Sequence, residues 1–164
     1  MQIRSIEPGD VDPLTEAFRS WPKEREQFAT YAAMAATGER DVVLALLDDR
    51  PVGYLTIAWT SHYPAFSDAG IPEVVDFNVV PDARRSGIGW ALMDEAERRI
   101  GARSSMAGIG VGLYRDYGSA QRMYVKRGYL PDGAGIVVDG IAPEPGSTIV
   151  LDDSPALMFT KAVG

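Results

Sequence analysis

The stretch VVPDARRSGIGWALMDEAERR, from Val79 to Arg99, constrains the fold of this chain more than any other. A β-branched run ends at Pro81, which cannot donate to a sheet ladder. From about Gly89 to Ala102 a helix is predicted, because Ile88, Leu92, Ala96 and Ile100 recur at the spacing of one buried helical face. Strand and helix are therefore joined by a turn that holds Arg84, Arg85, Gly87 and Gly89.

A helix N-terminus leaves its first amides without intrahelical partners and carries roughly half an elementary positive charge. Gly87 and Gly89 remove the side chains that would keep an anion from those amides, while Arg84 and Arg85 add charge. The Lys and Ser/Thr of a nucleotide-hydrolysing phosphate loop are missing, as is the full three-glycine dinucleotide fingerprint. The pattern alone also fits an ordinary glycine turn with two solvated arginines.

Charge distribution agrees with a small anionic ligand. The chain carries a formal net charge of -7, which argues against nucleic acid as a partner. From Arg84 to Arg127, however, nine basic residues face four acidic ones, and the remainder holds seven basic and nineteen acidic. With no cysteine and only His62 as histidine, neither thiolate chemistry nor a histidine-based metal site is expected. Chemistry is left to carboxylates, hydroxyls, phenols and backbone amides. A length of 164 residues, 46% hydrophobic, suits a single domain over residues 1–164. No apolar run reaches the roughly 18 residues of a membrane span, and MQIRSIEPGD lacks a secretion signal, so a cytoplasmic protein is expected.

Along the chain, QIRSIEP reads as a first strand, and Asp12 with Pro13 as the cap and first residue of a helix through Phe18. Pro22 is expected to open a second helix that stops at Gly38. DVVLALL and VGYLTIAW form a hairpin about DDRP, and TSHYPAFSDAGIP a loop before the strand EVVDFNVV. SMAGIGVGLY is a strand whose glycines imply a bulge or the close approach of another group. Ser119 caps a last helix that ends at Gly128, and two strands near GIVVDG and ALMFTKA follow. The class is mixed α/β (α+β), with a central sheet and about four helices.

VVPDARRSGIGWALM closely resembles the acetyl-CoA signature of the GNAT acyltransferase superfamily, and AQRMYVKRGY resembles its second mark. The order of elements is similar over nearly the whole chain. The resemblance implies that acetyl-CoA is the co-substrate; that no metal is used is expected from the lack of cysteine and the lone His62. The amides of Arg85, Ser86, Gly87, Ile88 and Gly89, with Arg84, would hold its pyrophosphate. Val79 and Val80 would lie along the pantetheine arm, between two splayed central strands, and the Val79 N–H would face the thioester oxygen. Tyr124 matches the tyrosine that serves the departing sulfur, although without the motif it reads as a core aromatic. Glu73 stands where some members carry a base, with Asp76 as the alternative; both also read as strand-end carboxylates. Many members have an asparagine seven residues before the tyrosine, where this chain has Tyr117; Tyr117 or Ser119 would take over that contact.

The resemblance points to an N-acetyltransferase using direct attack on an amine in a ternary complex, as a monomer or homodimer. A non-catalytic acyl-CoA-binding module and a transferase of another acyl group are the alternatives. Trp21, Trp59, His62 and Tyr63, together with Phe66, are candidates to line the acceptor site, against core packing for the aromatics and a surface position for His62. The acidic remainder tilts the acceptor toward a cationic amine.

Overall fold

The computed structural model of the protein describes residues 1–21 and 23–164. It contains the expected mixed α/β fold, with seven strands and five α-helices among the described residues. Two units are distinguished.

The first unit comprises Met1–Trp59 and Val74–Arg99. It holds β1 (Gln2–Ser5), α1 (Val11–Ala17), α2 (Arg25–Thr37), β2 (Arg40–Leu47) and β3 (Arg50–Ala58), with nearly all of β4 (Glu73–Val79) and most of α4 (Ile88–Gly101). Its strands run in the order β1-β2-β3-β4, and β1/β2 and β2/β3 are antiparallel. The expected β2–β3 hairpin turns on Asp48 and Asp49, at φ 49° and 62°. Two successive left-handed residues give a turn whose twist matches the strands, and aspartate tolerates that conformation better than most side chains. Phe18, Phe28 and Tyr54 are fully buried and pack edge to face, with ring centroids of Phe18 and Phe28 at 5.0 and 5.5 Å from Tyr54. Leu14, Val42 and Leu44 complete this core.

Helix starts differ from the sequence reading by a residue or more. Helix α1 begins at Val11, not after Asp12, because Asp10 organises the preceding turn. The Asp10 carboxylate accepts the Glu7 N–H at 2.7 Å and pairs with both terminal nitrogens of Arg4 at 2.6 and 2.7 Å. Asp12 instead accepts Arg25 Nε at 2.6 Å. Pro22, expected to open the second helix, lies outside the described residues, and α2 begins at Arg25. Gly38 ends α2 at φ 76°, as expected of a left-handed cap.

The second unit comprises Thr60–Glu73 and Ile100–Gly164. It holds α3 (Pro64–Asp68), β5 (Met106–Gly112), α5 (Gly118–Lys126), β6 (Leu130–Val138) and β7 (Pro155–Ala162), with strand order β5-β7-β6, all antiparallel. Helix α3 sits where a loop was expected: a single turn led by Pro64 forms because Phe66 is buried against Tyr63, ring centroids 4.9 Å apart. The β5 glycines allow close approach. A Cβ on Gly108 would come within 2.4 Å of the Phe66 ring, on Gly110 within 3.1 Å of Met158 Sδ, and on Gly112 within 2.4 Å of the Tyr117 ring. No helix among the described residues is long and apolar enough to cross a membrane.

Candidate active site

Strand β4 ends at Val79, and the Val80 N–H donates to Val52 O at 2.9 Å. A 3-10 turn over Pro81–Ala83 leads into Arg84, Arg85 at φ 62° and Gly87 at φ 86°. Helix α4 then starts at Ile88, one residue before the expected start, and the Gly87 carbonyl accepts its first bond, from the Ala91 N–H at 3.1 Å. Left-handed residues placed this way give a backbone of the kind that cradles anions, and the positive end of the α4 dipole follows at once. Nothing stands within 4 Å of a Cβ built on Gly87, so space at the turn is open and glycine is required there by φ alone. Ser86 Oγ donates to Ala83 O at 2.5 Å and tightens the turn. Arg84 lies back along the strand end: its Nε donates to Val79 O at 3.0 Å, and its guanidinium sits 5.6 Å from the Trp21 ring centroid. Arg85, Ser86 and Gly87 are exposed, Ile88 is buried and Gly89 half-buried.

Three residues before Val79, Asp76 takes φ 52° inside the strand, which breaks the regular alternation that would send Glu73 and Asp76 to opposite faces. Its carboxylate accepts five hydrogen bonds. Lys23 Nζ at 2.5 Å and Asn78 Nδ2 at 2.8 Å reach Oδ1. Tyr31 Oη at 2.8 Å, Tyr54 Oη at 2.9 Å and Gln27 Nε2 at 3.1 Å reach Oδ2. Burial opposes the charged form, but the Lys23 ammonium and the tyrosine donors outweigh it and hold the Asp76 carboxyl below its ordinary value. The same burial and the Asp76 charge push Tyr31 up to about 12 and Tyr54 higher still, so both phenols stay protonated donors.

Glu73, at the start of β4, belongs to the second unit. Ser61 Oγ donates to Glu73 Oε2 at 2.5 Å while accepting the Tyr63 N–H at 2.9 Å. Ser61 is only 5% exposed, and with Asp10 and Thr56 it is one of the buried polar or charged residues among the described residues. Sequence reading passed over it, since a lone serine in a loop carries no periodicity and no motif.

Tyr124 lies on α5 and is 4% exposed, its ring 6.0 Å from that of Tyr129. Burial raises the pKa of its phenol, which is therefore protonated at neutral pH. Tyr117 is the N-cap residue of α5, a place the sequence suggested for Ser119; Ser119 is exposed in the first turn. Tyr117 Oη and Tyr114 Oη both donate to Asp153 Oδ1, at 2.8 and 2.5 Å.

The aromatic candidates are held by specific partners. Trp21 stacks on Phe18 at 5.0 Å, and Trp59 Nε1 donates to Asp41 Oδ1 at 3.1 Å. Tyr63 is buried and donates to Asp132 Oδ2 at 2.9 Å; burial and that carboxylate push it up to about 12. His62 is exposed, and Phe66 is core.

The model of the acetyltransferase (GNAT) family matches residues 10–129. No curated protein matches the chain by sequence. Similar solved structures include a ribosomal-protein-alanine N-acetyltransferase from Brucella melitensis, 15% identical, with TM-score 0.74 over 99% of this chain and 100% of that one. An acetyltransferase of the GNAT family from Streptococcus pneumoniae is 18% identical, with TM-score 0.70 over 99% of each chain. An aminoglycoside 6'-N-acetyltransferase complexed with coenzyme A is 19% identical, with TM-score 0.68 over 99% of this chain and 97% of that one.

Proposed function

The chain belongs to the acetyltransferase (GNAT) family, and from that premise we propose that it is an N-acetyltransferase that moves the acetyl group of acetyl-CoA to an amine by direct attack. The observation that carries this reading is the turn before α4, where left-handed Arg85 and Gly87 feed directly into a helix N-terminus and the space beside Gly87 is open. A pyrophosphate fits such a backbone, and the neighbour complexed with coenzyme A supports the choice of ligand.

Acetyl-CoA supplies an acyl group activated as a thioester. An ammonium of ordinary pKa about 10.4 must lose a proton before its nitrogen can attack, and Glu73 takes that proton. Asp76 serves as a fixed support, because five donors already occupy its oxygens. The Val79 N–H donates to the oxygen on which charge gathers as the C–N bond forms. Tyr124 donates to the sulfur as the C–S bond breaks, a task that suits a phenol kept protonated by burial. The nitrogen loses its second proton once the C–N bond has formed, which replaces the proton that Tyr124 gives to the sulfur, so the products are amide, free thiol and the one proton held by Glu73. The acidic remainder of the chain favours a cationic amine, and a cytoplasmic monomer or homodimer fits this reading.

Calorimetric titration with acetyl-CoA, CoA and ATP tests the assignment. Binding of the first two but not of ATP is the expected result, and absence of all binding would overturn it. Thiol release with a panel of kanamycin, an alanine-terminated peptide, lysine and spermidine then separates an enzyme from a binding module. Tyr124→Phe is expected to leave acetyl-CoA affinity within about twofold and to lower kcat by about 100-fold, the low end of the range lost with a single hydrogen-bond donor or acid. Equal loss of affinity and turnover would assign Tyr124 to packing instead.

A further inference from the structure

We propose that Ser61 is a positioning residue for the Glu73 carboxylate; the proposal rests on the reading of Glu73 as the group that takes the acceptor's proton. The juxtaposition lies wholly within the second unit. Ser61 Oγ donates to Glu73 Oε2 at 2.5 Å, and because Ser61 also accepts the Tyr63 N–H at 2.9 Å, its single hydroxyl proton is directed at the carboxylate. Tyr63 is itself fixed, by its ring against Phe66 and its hydroxyl on Asp132. The serine therefore stands on a rigid base, 5% exposed, where its rotamer is held from the backbone side.

Two consequences follow. First, anchoring Oε2 sets the direction of Oε1, which stands 3.8 Å from the point where a Cβ on Gly110 would be. Second, a hydroxyl whose proton is directed at Oε2 makes a stronger hydrogen bond to the carboxylate than to the acid, so Ser61 favours the form of Glu73 that can accept a proton. Both effects reach the reaction through Glu73.

The test follows the protonation of Glu73 directly and needs no acceptor. Carbon-13 carboxylate resonances of the full chain are titrated, and the Glu73 signal is assigned by its loss in Glu73→Gln. In Ser61→Ala its midpoint is expected to move up by about one pH unit, and in Ser61→Thr, which keeps the hydroxyl, to return to within about 0.3 unit of the unaltered protein. Turnover of the panel amine used fastest should fall about tenfold in Ser61→Ala, with KM for acetyl-CoA unchanged, its acid limb displaced the same way, and recovery in Ser61→Thr. Undiminished acetyl-CoA affinity by calorimetry certifies that Ser61→Ala is folded; should it unfold, the Ser61→Cys variant, with a weaker donor in the same place, is expected to give an intermediate shift. An unmoved midpoint in a folded variant overturns the role of Ser61 alone. Full turnover by Glu73→Gln overturns the assignment of Glu73 as base, and the positioning role with it.

Discussion

Gly87→Glu is expected to weaken acetyl-CoA binding by at least about 100-fold, equivalent to about 2.7 kcal/mol. Two costs combine. Gly87 has φ 86°, and a residue with a Cβ loses about 1–2 kcal/mol in that conformation. The glutamate also sets a negative charge beside the amides proposed to receive a pyrophosphate, where like charges repel. Gly87→Ala isolates the first cost. Because nothing lies within 4 Å of the added Cβ, alanine should reduce affinity only about fivefold. Titration calorimetry on both variants decides the matter: equal, small losses would mean that no anion is held at this turn.

Asp76→Ala should destabilise the first unit about as much as truncating one of its fully buried phenylalanines. It strands the Lys23 ammonium, which is 20% exposed in its side chain, together with Tyr31, Tyr54, Gln27 and Asn78. Removing one partner of a buried pair costs about 3–5 kcal/mol, which for a chain of this size lowers Tm by about 10 °C. The pH dependence has a definite sign. The folded carboxyl titrates below its ordinary value of 3.8, so its contribution is complete above pH 3.8 and is lost as pH falls through the lower folded value. Thermal denaturation between pH 3 and 7 should show the stability gap between the unaltered protein and Asp76→Ala narrowing at the acid end. A gap that stays constant would show that Asp76 contributes packing and not charge.

The parts of the fold that the sequence makes legible are those governed by local chemistry. The β4–turn–α4 segment was readable from Pro81, the two glycines and a four-residue apolar period, and the α2 cap from Gly38. The β2–β3 hairpin was readable because Asp48 and Asp49 follow a β-branched run. What escaped depends on contacts distant in sequence. Helix α3 exists because Phe66 fills the space left by Gly108, forty-odd positions along, and Asp10 displaced Asp12 as the start of α1 because Arg4 was in reach. The same limit applies at the candidate site. Glu73 and Asp76 look interchangeable in EVVDFNVV; four of the five donors on Asp76 and the Ser61 hydroxyl on Glu73 come from residues distant in sequence.

Strand β5 has a further consequence for how this protein can be altered. A strand ordinarily shapes its surroundings with its own side chains, but at three alternate positions β5 offers only backbone, and Phe66, Met158 and Tyr117 fill the space instead. The contour there is thus set by interchangeable fillers rooted on α3, β7 and the turn before α5. Each can be trimmed or enlarged while the hydrogen-bonded ladder of β5 with β7 stays as it is. Variation at these three residues is a route by which relatives could diverge in shape without rebuilding the sheet, and laboratory libraries aimed at this region should randomise the fillers and leave the glycines alone.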